Sequence, residues 1–268
     1  MPHPVTAIMS ITSILEGMRV DGSIVRAFVG QDWLQGRATF GGLLAALCLE
    51  AAYRAFGDLP PLRSAQFSFM GPTGGEIALT PSMLRCGKSV CFAGVDLAGD
   101  AGLAARAVLA FGARRPSTTL HFAIPAPSVP PPDQCGPLFG DTKPIFAQHF
   151  AYKHAAGPKP LSGASDPEFL VWLRHNDGRV GLSLPALVAL ADAPPAAALT
   201  LVESFSPIST MTWMCDVLAD PPADDGRWFL VRTKAESIRD GYASHAVNVW
   251  TASGRPILVG RQSVALFF

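Results

Sequence analysis

Leu43–Phe56 reads LLAALCLEAAYRAF, and the fold turns on this stretch. Apolar residues occupy nearly every side of the helix it predicts, and a helix that is hydrophobic all round is buried all round. Phe40-Gly41-Gly42 opens it, and Leu59-Pro60-Pro61 follows it. Strand-like text flanks it on both sides. Arg19–Leu34 comes before; Leu62–Phe69, Glu76–Leu97 and Ala104–Ala113 come after, the long middle run being one bent strand or a hairpin about Cys86-Gly87. The arrangement that buries such a helix is an antiparallel sheet wrapped around it.

The rest of the chain repeats this itinerary. Between Arg114 and Pro144 Pro-rich text (AIPAPSVPPPDQCGP) replaces periodic text and predicts an extended connector. Strand-like runs Phe146–Lys153 and Glu168–Arg174 then precede a helix from Leu184 to about Asp192. Strands follow at Thr210–Leu218, Trp228–Ser237, Ala246–Trp250 and Pro256–Phe267. Arg85-Cys86-Gly87-Lys88-Ser89 answers Arg239-Asp240-Gly241-Tyr242-Ala243, and Gly102 answers Gly254 before each half's last strand. The expected fold is α+β, two tandem units at 1–115 and 145–268 joined by a connector at 116–144.

Charged residues make up 16% of the 268, and 21 Lys+Arg balance 21 Asp+Glu. A disordered tail and a nucleic-acid footprint are disfavoured by that balance. Five cysteines without a CxxC pair are read as buried small hydrophobes in a reducing compartment, so a cytoplasmic location is expected. The N-terminal text lacks a basic n-region, and the longest apolar run, Leu182–Val202, is broken by Asp192, Pro194 and Pro195. No leader and no membrane span are therefore expected. There is no GxSxG and no GxGxxG, and Gly87-Lys88-Ser89 lacks the upstream glycine of a phosphate loop. His149 and His154, placed in one strand, fall on opposite faces, so no metal and no cofactor are expected.

Chemistry is sought where polar side chains interrupt apolar elements. Asp192 ends the second helix, whose Ser183 is a credible N-cap and whose Pro185 suits the first turn. It is either a base or a solvated helix end. Gln262 interrupts the last strand, as a ligand or as an outward residue. Ser209, Thr210 and Thr212 begin a strand that lies beside it or merely favours β structure.

These pieces together resemble the acyl-CoA thioesterase II family, whose members fuse two hot-dog units in one chain. The resemblance rests on Arg37–Gly42, Leu62–Pro72 and Leu84–Phe92 in the first half. In the second it rests on Val171–Arg174, Leu190-Ala191-Asp192, Met211-Thr212-Trp213 and Gly260–Val264. It implies a double hot-dog fold and hydrolysis of an acyl-CoA by a water held between Asp192, Gln262 and a hydroxyl. The family Thr falls near Pro207 by spacing, so Ser209 or Thr210 has to serve, and the His that commonly precedes Trp213 is absent.

A partly buried Asp192 would be a better base, and Gln262 offers both a donor and an acceptor. Backbone N–H groups of Phe40, Gly41 and Gly42 could hold the substrate carbonyl; alternatively the glycines serve close helix–sheet packing. Arg85, Lys88 and Arg239 are candidates for the CoA phosphates. Glu50 is the first helix's carboxylate, read as structural. Two other readings stay open: a non-catalytic acyl-CoA or lipid binder, and a hydratase using Asp240 and His245. A homodimer is expected from the sheet's edges and faces.

Overall fold

The computed structural model describes residues 8–140, 142–181, 183–220 and 227–268. Met1–Ala7, on which the expectation about a leader rests, lie outside them. The all-apolar stretch forms α2 (Gly41–Phe56), ended by Gly57 at a φ of 63°, whose N–H bonds the Tyr53 carbonyl. Around it run α1 (Ile11–Gly17), β1 (Arg19–Asp21), β2 (Ile24–Val29), and the short hairpin β3 (Leu34–Gln35) and β4 (Ala38–Thr39). They are followed by β5 (Leu62–Phe69), β6 (Gly75–Cys86), β7 (Val90–Gly99) and β8 (Gly102–Gly112). The long strand-like run is thus a hairpin turning at Gly87.

The second half holds β9 (Phe150–Ala156), β10 (Glu168–His175), α3 (Leu184–Ala191), β11 (Ile208–Val217), β12 (Phe229–Arg239), β13 (Tyr242–Thr251) and β14 (Pro256–Leu266). Ser183 caps α3 by accepting from the Ala186 N–H. Asp240 and Gly241, both at positive φ, make the tight turn between β12 and β13.

All strands but β3 and β4 join one antiparallel sheet ordered β1-β2-β6-β7-β8-β5-β11-β14-β13-β12-β10-β9. The order mirrors itself about the β5–β11 seam, where Phe67 pairs with Trp213. One face of the sheet closes over α2 and α3 to form the main core. The connector crosses the opposite face of the second half: the Trp172 and Trp250 indoles donate to the Pro130 and Ile124 carbonyls at 2.8 and 3.0 Å. Cys135, Leu170 and Leu230 pack in the same satellite cluster.

Two expectations are corrected. Cys86 and Cys91 are disulfide-bonded at paired positions of the β6–β7 hairpin, while Cys48, Cys135 and Cys215 are free and buried. Cysteine usage therefore gives no argument for a reducing compartment. His149 ends a 3-10 segment, Ile145–His149, before β9 starts, because it is drawn into the core. There it stacks on Trp33 at 3.8 Å and lies 3.2 Å from the Asp32 carboxylate.

Candidate active site

The start of α2 meets the end of α3, and two glycines set how closely. A Cβ on Gly42 would lie 2.7 Å from the Ala189 carbonyl oxygen, and one on Gly41 would lie 3.0 Å from Asp192 Oδ2. Any side chain at Gly42 would push the helices apart. Gly42 thus allows close packing of helix against helix, where helix against sheet was expected.

Asp192 ends α3, as the solvated-end reading had it, but its carboxyl turns inward to the first turn of α2. The residue keeps some exposed surface while protein surrounds the carboxyl group. Burial pushes its pKa up to about 7, against the lowering effect of hydrogen bonds from the Gly42 N–H and the Gln262 side chain. Gln262 Nε2 donates to Asp192 Oδ1 at 2.5 Å, across 70 residues of chain. The Tyr152 hydroxyl donates to the next carbonyl, that of Ala193, at 3.1 Å, and burial followed by the Asp192 charge keeps that phenol protonated.

Register assigns the hydroxyls. Gln262 faces the core from β14, opposite Trp213 of β11 on one side and His245 of β13 on the other. Thr210 pairs with buried Val264, two places along from Gln262, so both belong to the inner face. Ser209 pairs with Ala265, belongs to the outer face and is exposed. A bulge at Met211 puts exposed Thr212 on the outer face too.

Other candidates stand elsewhere. Phe40 is the N-cap of α2, but its side chain is buried and stacked on Phe146 at 4.2 Å and its N–H already donates to the Trp33 carbonyl at 2.9 Å. Arg85 and Lys88 are exposed at the β6–β7 tip, five strands from β14 in the case of Arg85. Arg239 is an exposed partner of Asp240. Glu50 accepts from Arg54 at 2.8 Å, and Arg54 in turn ties the Leu15 and Met18 carbonyls at the end of α1. Asp240 sits in an exposed turn and His245 is fully buried in β13, so the hydratase pair does not assemble.

Tyr152 and Trp213 were not among the sequence candidates for the site. Nothing in the local text around Tyr152 signals it. Trp213 is visible in the sequence as the aromatic residue of its strand, but its place opposite Gln262 follows only from the register.

The mirrored half shows what these strand positions look like without the polar set. The β6·β7 register slips after Met83, whose partner is Ala93, just as the β12·β13 register slips after Ala235, whose partner is His245. Following the pairing onward gives Leu109 for Gln262 and Ala65 for Trp213.

Residues 29–112 match the acyl-CoA thioesterase N-terminal domain family and residues 123–266 the C-terminal domain family. A hot-dog protein of unknown function from Alicyclobacillus acidocaldarius superposes with a TM-score of 0.89 at 22% identity, covering 97% of this chain and 99% of that one. A candidate thioesterase from Novosphingobium aromaticivorans gives 0.78 at 26% identity, over 93% and 98% of the two chains. An acyl-CoA thioesterase II from Mycobacterium marinum gives 0.75 at 18%, over 97% and 98%. No curated protein matches the sequence significantly.

Proposed function

Because the chain belongs to the acyl-CoA thioesterase family and is a double hot-dog thioester hydrolase, we propose that it hydrolyses a fatty or related acyl-CoA with Asp192 as general base. The observation that carries this reading is the Gln262–Asp192 hydrogen bond at the start of α2. A carboxylate with a pKa of about 7 is matched to removing a proton from water near neutrality.

In this mechanism a water lies between Asp192, Gln262 and the Thr210 hydroxyl. Its oxygen attacks the thioester carbonyl carbon as Asp192 takes its proton. The tetrahedral intermediate breaks its C–S bond, the acid departs, and the proton held by Asp192 neutralises the CoA thiolate. Gln262, with a second amide N–H beyond the one on Asp192, steadies the water or the developing oxyanion. The Gly42 N–H is taken by Asp192, so the Gly41 N–H is the first-turn donor assigned to the carbonyl. Self-association to a homodimer belongs to this reading, through the open sheet edges at β1 and β9.

The test is thiol release from saturated and branched acyl-CoAs, comparing the parent with Asp192→Asn. Turnover is expected to fall by about two orders of magnitude or more with the fold intact. Equal rates would remove Asp192 from the chemistry. Saturable acyl-CoA binding without thiol release would replace hydrolysis by binding.

A further inference from the structure

Among the described residues, the buried side-chain atoms without a hydrogen-bond partner are Asp32 Oδ1, Thr73 Oγ1, His175 Nδ1, Trp213 Nε1 and both ring nitrogens of His245. Half of these atoms belong to the two residues paired directly with Gln262. His245 is the extreme case, with 0% exposure and neither nitrogen satisfied. Leaving a buried polar group unpaired costs stability, because its hydrogen bonds to water are lost and not replaced. The fold does not demand a histidine here, since the matching position in the other half is Ala93.

The residues directly opposite His245 are Ala235 on β12 and Gln262 on β14. Of these only Gln262 can hydrogen-bond. Its carboxamide makes one hydrogen bond among the described residues, the one donated to Asp192. Its oxygen and second N–H are therefore uncommitted, beside a ring with two uncommitted nitrogens, on Cβ atoms about 5 Å apart.

We propose that His245 is a positioning residue that holds the free side of the Gln262 carboxamide during turnover, through one imidazole nitrogen. Burial lowers the His245 pKa to about 4, so near neutral pH the ring is uncharged and presents one donor and one acceptor. It answers either end of the amide. With one N–H on Asp192 and the second assigned to the water, the amide oxygen is the group left for the ring to hold. A neutral imidazole N–H can donate that bond; an alanine or leucine side chain cannot.

The proposal rests on the reading of Asp192 and Gln262 as the site. Its test is steady-state thiol release by His245→Leu, which keeps an apolar bulk of similar size. We expect kcat to fall about tenfold with KM nearly unchanged, and melting temperature to rise as two orphaned nitrogens disappear. In a Gln262→Ala background the same substitution is expected to have no further effect, because His245 acts only through Gln262. His245→Phe provides the same cycle if the leucine protein melts early. Unchanged kcat, or the same fractional loss with and without Gln262, overturns the proposal. Full turnover by Asp192→Asn in the same assay overturns the site reading instead.

Discussion

The two halves of the sheet share strand order and even the position of a register slip, yet one row of three residues differs completely. The first half carries Ala65, Leu109 and Ala93; the second carries Trp213, Gln262 and His245. The small apolar row is the one that packing alone would select. The polar row leaves three nitrogen atoms unpaired and a carboxylate buried beside it. Residues that cost stability at one of two equivalent places point to chemistry at that place.

The sharpest way to break the contrast is to make the halves alike. Gln262→Leu installs the first half's residue, and thiol release is expected to drop about a hundredfold, the scale of losing one preorganised donor. A rate within a few-fold of the parent would mean that the row plays no part in turnover. Gly42→Ala comes next: its Cβ would stand 2.7 Å from a backbone oxygen, and chemical unfolding should show a loss of about 1–3 kcal/mol, with turnover falling as α3 is pushed from α2.

Asp192→Asn should act oppositely on stability. The folded pKa is raised to about 7 from 3.8, so the folded protein holds a proton that the unfolded chain has released over that interval. Stability therefore declines as pH rises through the interval and stays lower above it. The asparagine protein should melt higher than the parent at pH 8 and converge with it below pH 4, a difference of a few degrees in a thermal melt; a lower melting temperature at pH 8 would contradict the desolvation assigned here. Glu50→Gln tests the corresponding helix of the other half. It removes an i,i+4 pair with Arg54, so a loss of about 0.3–0.5 kcal/mol and unchanged turnover are expected.

Much of the architecture is legible because its signals are local. The all-apolar α2, the span of β5, the cap at Ser183 and the glycine turns each follow from a few neighbouring residues. Asp192 and Gln262 stand out as polar groups in apolar elements, and the structure brings them together. What escapes the sequence depends on partners far along the chain. Thr210 and Ser209 are separated by register across β11 and β14, not by their own text. His245 invites pairing with Asp240 nearby, yet its neighbour on the inner face is Gln262. The contact between Gly42 and the end of α3 joins segments that only the folded core brings together.

The strap from Ile124 to Pro130, anchored by two tryptophan indoles, has a consequence for mass action. Two separate hot-dog protomers must find each other, and dilution separates them. Joined by a short tether, the second half meets the first at an effective concentration on the order of millimolar, whatever the amount of protein in solution. Joining also ends the rule that a substitution in one subunit appears in both. One copy of the row is then free to turn into plain packing while the other accumulates groups that a symmetric pair would have had to carry twice.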